Sequence, residues 1–206
     1  MLELSGEAVA PFMVGPIFTA GSARAFELDA ADVPLLQRFY DLNPEYHLVV
    51  AGEAPGPNEA RNDFEATLPA GWPYTKRWML GFVDERESMV GMADVVSDLF
   101  AAGIWHIGLF MVATTLHGTG AAQSLYASLE SWMRGGGARW SRLGVVEGNS
   151  RAERFWEKSG YVDLRKRHAV EIGRRVNTLR VMAKPLAGHG IAEYLCLVER
   201  DRPDSP

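Results

Sequence analysis

The chain has 206 residues, of which 47% are hydrophobic and 23% charged; it can bury a core without staples and has the composition of an ordinary globular domain. A formal net charge of −5 argues against general nucleic-acid binding, while leaving room for a local basic pocket around a phosphorylated ligand. The single cysteine, Cys196, excludes an intrachain disulfide and a thiolate metal cage, which makes a reducing cytoplasm the expected compartment.

The N-terminal MLELSGEAVAPFMVG carries Glu3 and Glu7 with no basic segment ahead of its apolar residues, unlike a signal peptide. No apolar run approaches the roughly 20 residues needed to cross a bilayer. Phe12 to Thr19 reads as a short first strand. Asp29-Ala-Ala-Asp32 caps a helix through Leu35, Leu36, Phe39 and Tyr40, with Pro34 in its first turn. Asn43-Pro44-Glu45 starts a second helix, through Tyr46 to Val50. GEAPGPNEARND and LPAGWPY are breaker-rich, giving loop with a helical turn or two.

From Trp78 the pattern changes. Trp78 to Val83 and Met89 to Val96 form a hairpin about Asp84 to Ser88, and Ile104 to Val112 is a long apolar strand. A helix from Gly118 to Arg134 sets Ala121, Ala122, Leu125, Leu129, Trp132 and Met133 on one face, and Gly135-Gly-Gly137 stops it. Arg139 to Val146 is a strand, Asn149 to Ser159 a short helix, and Tyr161 to Ile172 with Val176 to Ala183 a final hairpin. After Leu186 nothing fixes the role of the apolar Ile191 to Val198, which could cap the sheet or form an interface. Helices first, then an antiparallel meander, then strand–helix–strand–helix–strand, describe a mixed α/β sheet, α+β-like, mostly antiparallel with one parallel crossover.

The stretch VATTLHGTGAAQSL sets Gly118 and Gly120 between a strand and a helix. Unpaired N–H groups and the helix dipole make such a turn a phosphate site, and glycine lets the ligand approach the main chain. A Walker loop is excluded because the stretch has no lysine. A dinucleotide fingerprint is weak, since Gln123 stands where the third glycine belongs. Close helix packing alone could also require the glycines.

His117-Gly118-Thr119-Gly120-Ala121-Ala122 resembles the Gln/Arg-x-x-Gly-x-Gly/Ala signature of the Gcn5-related N-acetyltransferases (GNAT family), with histidine in place of the first Gln or Arg. Asn149-Ser-Arg-Ala152-Glu-Arg-Phe155-Trp156-Glu-Lys-Ser-Gly160-Tyr161 resembles that family's second signature, Asn-x-x-Ala-x-x-Phe-Tyr-x-x-x-Gly-Phe. The resemblance covers Trp78 to Ala183, about half of the chain. It implies one acyl-CoA N-acyltransferase domain over 1–206: acceptor-side helices and loop in 1–75, an acetyl-CoA core in 76–185, and a tail in 186–206. It further implies two parallel strands that splay apart to admit pantetheine.

On that resemblance, acetyl-CoA is the co-substrate. Its pyrophosphate would rest on the amides of His117 to Ala122, and its pantetheine would pair with the main chain around Met111 and Val112. The Val112 N–H would polarise the thioester carbonyl, and Asn149 would hold the pantetheine arm as well as cap its helix. His117 would set a titratable group beside the pyrophosphate. His106 stands where some members carry a glutamate base, and its ordinary pKa of about 6.5 suits the task; it can equally be a packing residue. Asp94 and Asp98 are rivals for the base or for holding a cationic acceptor, and a water chain could also serve. Trp156 replaces the family's tyrosine; an indole cannot act as an acid, so water or Ser150 would relay the proton, or none is needed, and Trp156 would pack against the pantetheine or acetyl end. Glu45 and Tyr46 fall where acceptor-lining helices lie. No histidine spacing suggests a metal. The expected partner is a small-molecule amine, with no nucleic acid or membrane; a homodimer is compatible with the family. Against this stand a CoA-binding module without chemistry and transfer to a protein amine.

Overall fold

The computed structural model describes residues 15–205. The strand expected from Phe12 therefore has its first residues outside the described part, and the observed β1 is short, Phe18–Ala20. It turns at Gly21, whose φ is +64°, into a strand the sequence reading did not place, β2, Ala23–Glu27. Asp29 caps a 3-10 turn over Ala30–Asp32 by accepting from the Ala31 N–H at 2.7 Å. The helix α1 follows at once, Val33–Leu42, and buries Val33, Leu36, Phe39 and Tyr40, the spacing of one helical face.

Helix α2, Glu45–Val50, lies where Asn43-Pro44-Glu45 predicts it, yet Asn43 does not cap it. The Asn43 Nδ2 donates to the Phe39 carbonyl at 2.8 Å, and its Oδ1 accepts from the Thr114 N–H at 2.7 Å. Asn43 thus ties the end of α1 to the segment that leaves the central strand. The breaker-rich insert carries α3, Glu59–Glu65, docked on α1 by Gln37, which donates to the Gly56 carbonyl and accepts from the Ala60 N–H.

Strands β3 (Lys76–Val83), β4 (Met89–Ser97) and β5 (Ile104–Val112) form the meander; α4 is Ala121–Gly135, β6 Trp140–Val146 and α5 Ser150–Lys158. The final hairpin is β7 (Val162–Ile172) and β8 (Arg175–Pro185), followed by α6, Ile191–Leu197. The eight strands make one sheet in the order β1-β2-β3-β4-β5-β6-β8-β7. Every pairing is antiparallel except β5 with β6.

Neighbouring residues on β4 point to opposite faces. Met92 joins the core under α1, while Ala93 and Val95 join the core under α4 with Leu125, Tyr126, Leu129 and Met133. The tail caps the sheet: Tyr194 and Val198 pack on Ile104, Trp140, Leu164 and Ala183. Past α6, Asp201 is fully buried against Arg142 of β6, accepting from its Nε at 2.6 Å and its Nη2 at 3.0 Å.

Candidate active site

Strands β5 and β6 stay paired only from Ile104–Trp140 to Ile107–Leu143. Beyond that point they part, and a cavity of about 460 Å³ opens between β5, α2 and the first turns of α4 and α5. A bulge starts the divergence. Asp94 pairs with Leu109 but Val95 with Ile107, so Gly108 is the extra residue on β5. A β-carbon on Gly108 would stand 3.1 Å from Asp94 Oδ2, which explains the glycine there.

The hydrogen-bond phase of β5 decides which peptide groups face the gap. Ala113 N–H donates to the Val90 carbonyl at 2.9 Å, and Val112 pairs with Gly91. Antiparallel ladders alternate, so the peptide groups of Met111 turn toward β4, while those of Phe110 and Val112 turn into the cleft. The geometry therefore leaves cleft-facing peptide groups at Val112 and Phe110, and not at Met111. Met111 still lines the cavity with its side chain.

The turn after β5 is a 3-10 segment, Thr114–Leu116, then His117, Gly118 at φ +79°, Thr119, and Gly120 at φ +89° as the N-cap of α4. The Thr119 hydroxyl braces it, donating to the Leu116 carbonyl and accepting from the Ala121 N–H. The N–H groups of Gly118, Gly120, Ala122 and Gln123 have no partner among the described residues. A β-carbon at Gly118 or Gly120 would meet nothing within 4 Å, so close packing does not account for either glycine. Free amides, open space and a helix N-terminus together suit an anion.

His117 spans the mouth of the cleft. Its Nε2 bonds the Val112 carbonyl at 3.1 Å, and its Nδ1 meets Arg151 on the first turn of α5. Held between the Val112 carbonyl and Arg151, the ring braces the end of β5. Arg151, a cation the sequence reading passed over, stands in the same wall. Asn149 caps α5, accepting from the Ala152 N–H at 3.4 Å, and lines the cavity beside Ser150. Trp156, 7% exposed, closes the inner wall with Phe155 and Phe110 at ring separations of 4.9 and 5.9 Å.

Glu45 also lies at the mouth and accepts from the Thr114 hydroxyl at 2.5 Å, the main cause of its lowered carboxyl pKa. Tyr46 lines this cavity and a smaller neighbouring one; burial raises its phenol pKa. Asp94 lines the smaller cavity with both oxygens taken, accepting from Arg77 Nε at 2.9 Å and Nη2 at 3.0 Å.

Neither of the expected residues Asp98 and His106 lines either cavity. Asp98, at φ +54°, accepts from the Gly103 N–H at 2.7 Å and holds the turn between β4 and β5. His106 lies in the closed part of the β5–β6 pair, opposite Arg142. Its Nδ1 lies 3.1 Å from the Arg142 carbonyl, and burial together with the Arg142 charge pushes its pKa down to about 3. A group that weak and that distant from the cleft is a poor base at neutral pH. His106→Ala is expected to leave the acidic limb of the pH–rate profile in place; a flattened limb would restore His106 to the mechanism.

The described residues contain no group of His, Cys, Asp and Glu that could hold a metal, and no helix among them is long and apolar enough to cross a membrane. The sequence model described as the acetyltransferase (GNAT) family matches residues 36–161. Among solved structures, an acetyltransferase from Thermus thermophilus is similar at a TM-score of 0.62 and 22% identity, covering 82% of this chain and 100% of that one. A spermidine N-acetyltransferase from Vibrio cholerae is similar at 0.61 and 14%, covering 80% and 96%. A ribosomal-protein-S18-alanine N-acetyltransferase from Escherichia coli is similar at 0.60 and 12%, covering 82% and 96%. A comparison with curated proteins finds no significant match.

Proposed function

Because the chain belongs to the GNAT family of acetyltransferases, and is thereby an acyl-CoA-dependent N-acetyltransferase, we propose that it transfers an acetyl group from acetyl-CoA to the amine of a small-molecule acceptor. The observation that carries this reading is the cleft itself. Free amides at Gly118, Gly120, Ala122 and Gln123 stand at one end, and cleft-facing peptide groups of Val112 and Phe110 line the approach to the other. Acetyl-CoA would supply the acetyl group already activated as a thioester.

The α4 terminus and Arg151 neutralise phosphate charge at the mouth. The cleft edge of β5 offers an extended chain the donors and acceptors of an added strand, as in strand addition to a sheet edge. A main-chain N–H at Val112 or Phe110 is fixed before the reaction, so it can stabilise negative charge developing on a carbonyl oxygen without reorganisation. Trp156 and Phe155 exclude water from that end. The acceptor nitrogen must lose a proton before attack. With His106 locked against Arg142, Asp94 saturated by Arg77 and Asp98 spent on a turn, solvent in the cleft takes the proton. Trp156 cannot donate a proton to the departing sulfur, and with a thiol pKa of about 8.5 no acid is required.

A small acceptor is favoured by the roof of the acceptor side. The β7–β8 hairpin docks on the end of α2: Asn177 Nδ2 donates to the Val50 carbonyl at 3.1 Å, and Arg174 N–H to the Ala51 carbonyl at 2.8 Å. Gly173 sits so close that a β-carbon would stand 2.6 Å from that of Ala51. A polypeptide has no open trough there. We read 1–206 as one domain acting in the cytoplasm, with the tail capping the sheet. Thiol release from acetyl-CoA, followed across a panel of small amines, tests the reading; CoA binding by calorimetry with no amine-stimulated release would replace it with a binding module.

A further inference from the structure

Beyond Tyr46, the smaller cavity of about 220 Å³ is lined by α2, α3, β3, β4, β5 and the end of β7. Its wall holds Glu59, Asp63 and Asp94 against a single cation, Arg77. Arg77 is fully engaged. Besides its two bonds to Asp94, Nη1 donates to the Ala66 carbonyl at 2.5 Å and Nη2 to the Asp63 carbonyl at 2.6 Å. It therefore neutralises Asp94, holds the end of α3, and offers no fork to a ligand carboxylate.

Glu59 and Asp63 are left without an ion pair among the described residues. The Asp63 Oδ2 accepts from the Tyr40 hydroxyl at 2.9 Å, and burial outweighs that bond and the Arg77 charge in raising its carboxyl pKa. Beside it stands His47, 4% exposed, whose pKa burial lowers and whose Nδ1 has no hydrogen-bond partner. Acids without an ion pair and an unmet imidazole nitrogen are costly in a protein wall, and both are satisfied by an N–H-rich cation.

Resting on the acetyl-transfer reading, we propose that this cavity receives the acceptor and that the acceptor is a short linear diamine. One ammonium lies between Asp63 and Glu59, and the other nitrogen points past Tyr46 into the cleft. The cavity is below the usual range of about 300–1,000 Å³ for drug-sized ligands, which limits the length of the chain between the nitrogens. A monoamine leaves the carboxylates unpaired. An amine carrying a far-end carboxylate meets like charge, with Arg77 already spent. The transfer balances: the reacting nitrogen first gives up its ammonium proton to solvent, then its lone pair forms the C–N bond as the C–S bond breaks. The second proton leaves nitrogen and ends on the departing sulfur, giving the amide and the thiol.

Three amines of one length test this: 1,4-diaminobutane, 1-aminopentane and 5-aminopentanoate, whose far ends are an ammonium, a methyl group and a carboxylate. The diamine is expected to have kcat/KM at least about tenfold above 1-aminopentane and about a hundredfold above 5-aminopentanoate. Asp63→Asn keeps an acceptor for Tyr40 and is expected to raise KM for the diamine about tenfold, with KM for 1-aminopentane moving less than about twofold. Glu59→Gln, on the first turn of α3, should act in the same sense and more weakly. Equal turnover of the three amines, a preference for 5-aminopentanoate, turnover of other amines only, or an Asp63→Asn effect equal on the diamine and 1-aminopentane would each overturn the diamine site while leaving acetyl transfer standing. CoA binding with no release by any amine would overturn the transfer reading itself, and the acceptor site with it.

Discussion

Replacing Gly120 with aspartate is expected to weaken CoA binding by at least about a hundredfold, equivalent to about 2.8 kcal/mol. The side chain would enter open space, since nothing lies within 4 Å of a β-carbon there, so the loss falls on the ligand instead of on packing. It would put a negative charge where free amides and the α4 dipole favour one from outside. The left-handed φ of +89° costs a non-glycine residue about 1–2 kcal/mol, so a modest fall in stability accompanies the change. Gly137, past the other end of α4, is the control: φ is +97° and its β-carbon position is also open. Gly137→Asp should lose comparable stability and leave CoA affinity unchanged. Calorimetric titration of both variants checks this, and equal weakening in both would mean that the α4 turn is not the phosphate cradle.

The second large effect is on stability. Asp201→Ala is expected to cost about 3–5 kcal/mol, because it strands the buried charge of Arg142. The Arg142 and Asp201 side chains are 5% and 0% exposed, and Tyr194 adds a hydroxyl bond to Asp201 at 2.6 Å. Removing the whole group is a different change. Arg142→Met with Tyr194→Phe and Asp201→Leu should recover much of the loss, since apolar replacement of a buried pair is often neutral. Burial alone would raise the Asp201 carboxyl, but the hydrogen bonds and charge of Arg142, with Tyr194, hold it below its ordinary value. A depressed folded pKa means this contribution is complete above the unfolded value of about 3.9 and is lost as pH falls through the folded one. Thermal melts across acidic pH should therefore show wild type losing stability more steeply than Asp201→Ala; parallel curves would deny the carboxylate that role.

The parts legible in the sequence were those with strong period and strong punctuation. Strand β5 ran between Gly103 and the glycine turn, and α4 between that turn and Gly135-Gly-Gly137, so both were placed from residues alone, although α4 starts at Ala121 and not at Gly118. Strand β2, Ala23–Glu27, was missed because so short a run, Ala-Arg-Ala-Phe-Glu, carries no clear alternation of apolar and polar residues. The cleft was legible only through the resemblance of two local runs, the glycine turn and the helix from Asn149, to a family's signatures. The acceptor side was not. Arg77 and Asp94 meet diagonally because β3 pairs Met79 with Asp94 and Arg77 with Val96, a register that the turn at Asp84 to Ser88 could have supplied. Asp63 lay in a segment read as loop with a helical turn or two, and its hydrogen bond comes from Tyr40 on another helix. Counting from the motif gave His106 a catalytic station, but no count reveals that Arg142 lies opposite it or that a tail aspartate buries the pair.

Transfer itself can be read directly by incubating the protein with acetyl-CoA labelled in the acetyl group and an excess of amine, then following the label by mass. The account predicts label on the amine nitrogen, one thiol released per acetyl moved, and loss of both in Gly120→Asp. Tight CoA binding with the label remaining on the thioester, whatever amine is present, would contradict it.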